Sequence, residues 1–314
     1  MAALFAIAAN AGTPCVAHAQ VMPAHVSDYR PVFQECRNGD GTMRIAIRSM
    51  KVDGAGMILA VDPATLATHL ERDQDWTCTD TDDQHEKNTR YINAVRLSCA
   101  PHGNGPAAGS NVIADGGLTR GVAAGSFITG DLCPSHRHLD RAFLERLETP
   151  GSPLPVALSI SGTWLTHHPA DFQWLRDQEH AGALRITWVD HSYDHPYVPG
   201  RPLADNFLLT PGTDMPSEIL DTERLLIANG ETPSVFFRFP GLISNAALMR
   251  MADDYHLIVL GTDAWLAKSP QAKPGDVILL HLNGNEPAGL KVFSDLMAAG
   301  KLPQPFRPIE EAPQ

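Results

Sequence analysis

From Gly125 onward the chain alternates short apolar runs with helix-like stretches, and this rhythm limits its fold more than any other feature. Phe127-Ile128-Thr129 precedes a helical stretch from Leu139 to Leu147, and Val156 to Ile160 precedes one from Ala170 to Ala181. Arg185 to Val189 precedes Pro216 to Ala228, and Val235 to Arg238 precedes a helix from Asn245. Leu257 to Leu260 and Val277 to His281 complete the series. Strands separated by crossover helices build parallel sheets, because parallel neighbours need a long return connection. In such sheets the chemistry gathers at the carboxyl ends of the strands.

Residues 26–100 have a different texture, with β-like runs such as Met43 to Ile47 and Gly56 to Val61 among polar turns. A short helix is expected from Pro63, with Asp62 as its cap. Tyr91 to Leu97 reads as a strand, and Pro101 to Gly109 as a linker. The division is therefore an export segment at 1–19, a small α+β or β-rich domain at 20–124, the α/β unit at 125–302 and a tail at 303–314. The first segment is small and apolar, and Ala17-His18-Ala19 offers a cleavage site, which points to a secreted or periplasmic protein. No later apolar run reaches the roughly 18 residues of a membrane span. The 314 residues carry a formal net charge of -12, which argues against nucleic acid as a partner. Arg37, Arg44, Arg48 and Lys51 read as the solvent face of a strand. Cys36, Cys78, Cys99 and Cys133 remain after export, so a bridge Cys78–Cys99 or Cys36–Cys99 is open, as are buried free thiols.

The strand ends carry Asp131, then His191 and His195, then Arg238, then Asp263 with Trp265, then His281. One ionisable group at such a place is an ordinary loop residue; a whole series at one sheet edge converges in space. His191 and His195 have the i, i+4 spacing that sets two imidazoles on one face of a helical turn, suited to one metal ion. By contrast, His167-His168 stands before Pro169 in a presumed loop and reads as functionless. Asp80, Asp82 and Asp83 lack the glycine and distal glutamate of a calcium loop.

These segments resemble the motifs of the polysaccharide deacetylases, the NodB-homology type of carbohydrate esterase. Thr129-Gly130-Asp131-Leu132-Cys133-Pro134-Ser135 is similar to the first motif, and His191-Ser192-Tyr193-Asp194-His195 to the second. Phe237-Arg238-Phe239-Pro240-Gly241, Asp263-Ala264-Trp265 and Leu280-His281 resemble the third to fifth, in the family's order. The resemblance implies a distorted (β/α)7 barrel and hydrolysis of N-acetyl groups on an N-acetylglucosamine-containing glycan. It implies a divalent metal, zinc by preference and cobalt or nickel as alternatives, held by His191 and His195. A metal-activated water would attack the amide carbonyl, with a backbone N–H near Tyr197 helping to hold the oxyanion. His281 would protonate the leaving amine, with Asp263 holding its imidazole; Arg238 would orient the catalytic carboxylate. Tyr197, Pro240, Trp265 and Leu280 would meet the substrate.

The first motif departs from the family, which has two adjacent aspartates, one base and one ligand. Without a gap, Asp131 is the base and Leu132 falls at the ligand position, so the third ligand would come from His136, His138, Asp194 or water. With one inserted residue, Asp131 is the ligand and the base would be Asp190 or Asp194. The ligand role is favoured, since two imidazoles alone hold zinc weakly. An O-acetyl sugar esterase and a non-catalytic glycan-binding protein are the competing functions, the second because only one aspartate remains.

Overall fold

The computed structural model describes residues 22–100, 111–122, 124–149 and 151–314. The expected export segment and the linker at 101–109 lie outside the described residues.

Strands β1 (Val26–Asn38), β2 (Met43–Val52), β3 (Ala55–Val61), β4 (Thr68–Arg72) and β5 (Trp76–Asp80) form an antiparallel sheet in the order β4-β3-β2-β1-β5. Cys36 and Cys78 face each other across β1 and β5 with Cα atoms 4.0 Å apart, and they form the disulfide. Neither bridge expected for Cys99 is made; that thiol is buried and reaches the Leu257 carbonyl. The reason lies in α1 (Arg90–Cys99), a helix where a strand was expected. Thr89 caps it by accepting from the Ile92 N–H. Tyr91, Ile92, Val95 and Cys99 then fall on one buried face at helical spacing. No helix runs on from Pro63 either: Asp62 Oδ1 accepts from the N–H groups of Ala64 and Thr65 as a cap would, but Leu66 takes a left-handed φ of 66° and ends the turn. Arg48 is not on a solvent face. The β2–β3 register shifts between Ala46 and Arg48, and this bulge turns the guanidinium inward, where it is fully buried.

After β6 (Val112–Ala114) comes β7 (Phe127–Leu132), then α2 (Arg141–Glu145), β8 (Leu154–Ile160), α3 (Gly162–His167), α4 (Pro169–His180) and β9 (Leu184–Asp190). The chain continues through α5 (Met215–Ala228), β10 (Phe236–Phe237), β11 (Ile243–Asn245), α6 (Ala246–Asp254), β12 (Ile258–Val259), β13 (Ala264–Trp265), β14 (Val277–His281) and α7 (Pro287–Ala298). Seven strands form one parallel sheet in the order β12-β10-β9-β8-β7-β14-β13. It is the expected seven-stranded α/β architecture, left open between β12 and β13. Strand β6 pairs with β11 beside it.

Both faces of this sheet are buried, which is why its strands read as unbroken apolar runs. On one face Ile128, Leu158, Trp188 and Ile278 pack against Phe143, Leu175 and Phe293 of α2, α4 and α7. On the other, Phe127, Ala157, Val189 and Val277 share a single core with Ile45, Ile47 and Leu59 of the antiparallel sheet and Tyr91 of α1. Among the described residues no helix is long and apolar enough to cross a membrane.

Candidate active site

Strand β7 sets the site. Successive side chains of a strand point to opposite faces. Ile128 and Leu132 therefore go to the helix-packed core, while Thr129 and Asp131 face the other way. Gly130, between them, has no Cβ, and one would collide with Leu282. Parallel pairing of β7 with β14 then places Asp131 level with His281.

Arg238, at the end of β10, is fully buried and points its guanidinium at β7. Its Nη1 donates to Asp131 Oδ1 at 2.7 Å and to Thr129 Oγ1 at 2.8 Å, and its Nη2 donates to the Gly261 carbonyl at 3.2 Å. Burial alone would push the Asp131 pKa up; the charges of Arg238, His191 and His281 outweigh it and hold the pKa at about 2. Asp131 is thus an ionised carboxylate tied to Arg238.

The second motif is a loop rather than the helical turn its spacing implied. Ser192 and His195 have φ of 66° and 47°, left-handed values that cost energy in non-glycine residues. The loop is held by Glu218 of α5, whose Oε2 accepts from the N–H groups of Tyr193 and Asp194, both at 3.0 Å. His191 Nδ1 donates to the Arg238 carbonyl at 2.8 Å. That bond fixes the ring so that Nε2 faces Cys133. The His191 and His195 rings lie 4.7 Å apart, edge to face.

The third partner is a residue the sequence reading assigned only to thiol chemistry. Cys133 Sγ lies 3.5 Å from His191 Nε2. Cys133, His191 and His195 offer ligand atoms that all lie within 4.8 Å of one another. Burial raises the thiol pKa, but the two imidazoles overcome it and bring it well below the ordinary value. Buried His195 Nε2 has no hydrogen-bond partner. A buried thiol with a lowered pKa, an imidazole nitrogen aimed at it and an orphaned imidazole nitrogen fit a divalent ion with soft donors, zinc first. Asp131 Oδ2 stands beside this trio, 3.7 Å from His191 Nε2.

Of the other expected ligands, His136, His138 and Asp194 are exposed and outside the trio. Asp190 is buried but its Oδ1 caps the Ser192 N–H; burial and the nearby Glu223 charge push its pKa well above the usual carboxylate value.

Asp263 does not hold the His281 imidazole. It precedes β13, and Ala264 pairs with Ile278, so Asp263 is level with Val277, about 13 Å down the strand from His281. It lies near Arg120 instead, at 3.7 Å. The carboxylate on His281 is Glu286, at 2.9 Å from Nδ1, and the same oxygen accepts from Trp265 Nε1 at 2.8 Å. Burial would lower the His281 pKa, but its partners Cys133, Glu286 and Asp131 raise it to about 10. Leu280 also departs from expectation. Strand alternation turns it away from His281 into the core with Ile128 and Phe293, and puts Leu279 on the His281 side. Pro240 is buried, and Tyr197 is exposed with its ring stacked on Phe207 at 5.1 Å.

The carboxyl edge of the parallel sheet thus joins a cysteine–histidine trio that could hold a metal ion to an arginine-bound carboxylate and a carboxylate-bound imidazole. No family model matches the chain. Its structural neighbours are consistently family 4 carbohydrate esterases. One from Bacillus anthracis is 17% identical, with a TM-score of 0.44 over 63% of this chain and 87% of its own. One from Streptomyces lividans, in complex with acetate, is 24% identical, with a TM-score of 0.40 over 58% and 91%. A chitin deacetylase from the fungal pathogen Colletotrichum lindemuthianum is 13% identical, with a TM-score of 0.43 over 63% and 92%.

Proposed function

We propose that the protein is an exported, metal-dependent deacetylase that hydrolyses N-acetyl groups on an N-acetylglucosamine-containing glycan. The observation that carries this reading is the flanking of one three-donor cluster by an ionised carboxylate and a protonated imidazole on adjacent strands. Cys133, His191 and His195 would hold the ion, in place of the aspartate and two histidines of the resembled motifs. A bound divalent ion supplies carbonyl polarisation and a lowered water pKa, so the weakly basic Asp131 suffices as proton acceptor.

Asp131 then orients the attacking water and takes its proton, and Arg238 keeps that carboxylate charged and aimed. His281 stays protonated through neutral pH and delivers its proton to the leaving nitrogen. Glu286 holds the imidazole by its other nitrogen, as Asp263 was expected to do. Trp265 and Leu279 wall the side nearest His281, where an acetyl methyl group would lie, and the exposed Tyr197 would border the approach. A charged acid is needed for an amine leaving group and hardly for a sugar hydroxyl, which favours the amide over the ester. The intact Asp131–Arg238 pair speaks against a purely glycan-binding role.

The test is acetate release from N-acetylated chito-oligosaccharide and from acetylated xylan by the full chain. The expected result is release from the first, lost on chelation, restored by zinc and reduced about 10²- to 10⁴-fold in Asp131→Asn. Release that survives chelation, or release from xylan alone, would overturn the reading.

A further inference from the structure

We infer that His138, His168 and Asp171 form a second zinc site, which pins the loop carrying Cys133 to the start of α4. The three residues offer ligand atoms that lie within 4.8 Å of one another. His138 Nδ1 is 3.1 Å and His168 Nδ1 3.5 Å from the same oxygen, Asp171 Oδ2. Tetrahedral ligands on zinc lie about 3.3 Å apart, so these separations suit one ion between them.

The orientation of the His168 ring points the same way. His168 Nε2 is 2.8 Å from the Ser135 carbonyl, which can only accept, so Nε2 carries the hydrogen. His168 Nδ1 then faces Asp171 Oδ2 at 3.5 Å. Asp171 Oδ2 already receives the Leu139 N–H at 3.2 Å. The His168 side chain is only 7% exposed there, so the contact is shielded from solvent. A cation placed between Nδ1 and Oδ2 would have both as ligands.

The surroundings are those of a built site. Arg141 grips the other oxygen of Asp171 twice, at 2.6 and 2.8 Å, leaving Oδ2 to the cluster. The Trp164 ring stacks on His168 at 5.1 Å and fixes its plane. His138 closes the site from the solvent side, where a water can complete the coordination. Functionally, the ion would tie residues 135–139 to α4. That same loop is anchored at its other end by Asn283, which donates to the Cys133 carbonyl at 2.7 Å. The pair His167-His168 thus yields one working residue from a segment read as functionless.

The inference is independent of the hydrolytic reading, and zinc counting separates the two. Zinc per chain would be measured by mass spectrometry on zinc-loaded, dialysed full-length protein. Two ions are expected in the wild type, one in His138→Ala, one in Cys133→Ser and none in the double variant. Zinc at about 100-fold above its Kd should raise the Tm of Cys133→Ser by roughly 5 °C and leave the double variant unmoved. A single wild-type ion that vanishes in Cys133→Ser and persists in His138→Ala would overturn the second site. A single ion with the reverse behaviour would support it and overturn the Cys133 cluster. His138 is mostly exposed, so its replacement tests binding without threatening the fold.

Discussion

The two sheets of the molecule treat buried charge in opposite ways. At the antiparallel sheet, Arg48 is completely buried and completely answered: Glu223 accepts from Nε at 2.7 Å and from Nη2 at 2.8 Å, and the Tyr255 carbonyl accepts from Nη1 at 3.0 Å. Tyr29 adds a hydrogen bond to the same glutamate. At the carboxyl edge of the parallel sheet the charges are as deeply buried, yet His195 Nε2 and Arg238 Nε have no partner. A closed cluster fixes the fold; an open one has capacity to spare for a ligand.

The contrast can be broken by mutation. Arg48→Ala strands a buried glutamate and should cost about 3–5 kcal/mol in urea unfolding, with activity per folded molecule unchanged. Arg48→Met with Glu223→Leu should recover most of that loss; a double variant as unstable as the single one would show that the pair is more than structural. At the open edge, the effect of acid is smaller. The folded Asp131 pKa of about 2 lies below the unfolded value, so its contribution is present above about pH 4 and lost as pH falls through 2. This one carboxyl should account for about 2 kcal/mol of acid destabilisation in the chelated protein. Urea midpoints measured from pH 5 to 2 should fall less steeply in Asp131→Asn; parallel slopes would contradict the assigned shift. The smallest effect belongs to Glu286→Gln, which keeps the hydrogen bond and removes the charge. It should lower kcat about 10-fold, leave KM nearly unchanged and shift the alkaline limb of the pH profile down. An unchanged alkaline limb would remove Glu286 from the account.

The sequence makes the parallel sheet legible because strands buried on both faces leave an unbroken apolar signature. It also brings Asp131, His191, Arg238 and His281 to one edge, since each ends or directly follows such a run, with His195 in the loop after His191. What it hides depends on parity and register. Leu132 and Leu280 are one residue away from the side of their strands that faces Asp131 and His281, and the proposed function assigns their expected roles to Cys133 and Leu279. Arg48 is hidden by a bulge, and the Cys36–Cys78 bridge by the register of β1 against β5. Tyr91 to Leu97 is apolar enough to suit strand or helix, and only Thr89 as a cap separates the two. Glu286 carries no periodic signal at all; the available hint was a carboxylate five residues after His281, just before the proline that opens α7.

The central claim is that Cys133 joins His191 and His195 around one ion while Asp131 remains free for proton transfer. X-ray absorption at the zinc edge, on His138→Ala carrying a single equivalent, tests it directly. The account requires one sulfur at about 2.3 Å and imidazole nitrogens at about 2.0 Å. A shell of nitrogen and oxygen alone would contradict it.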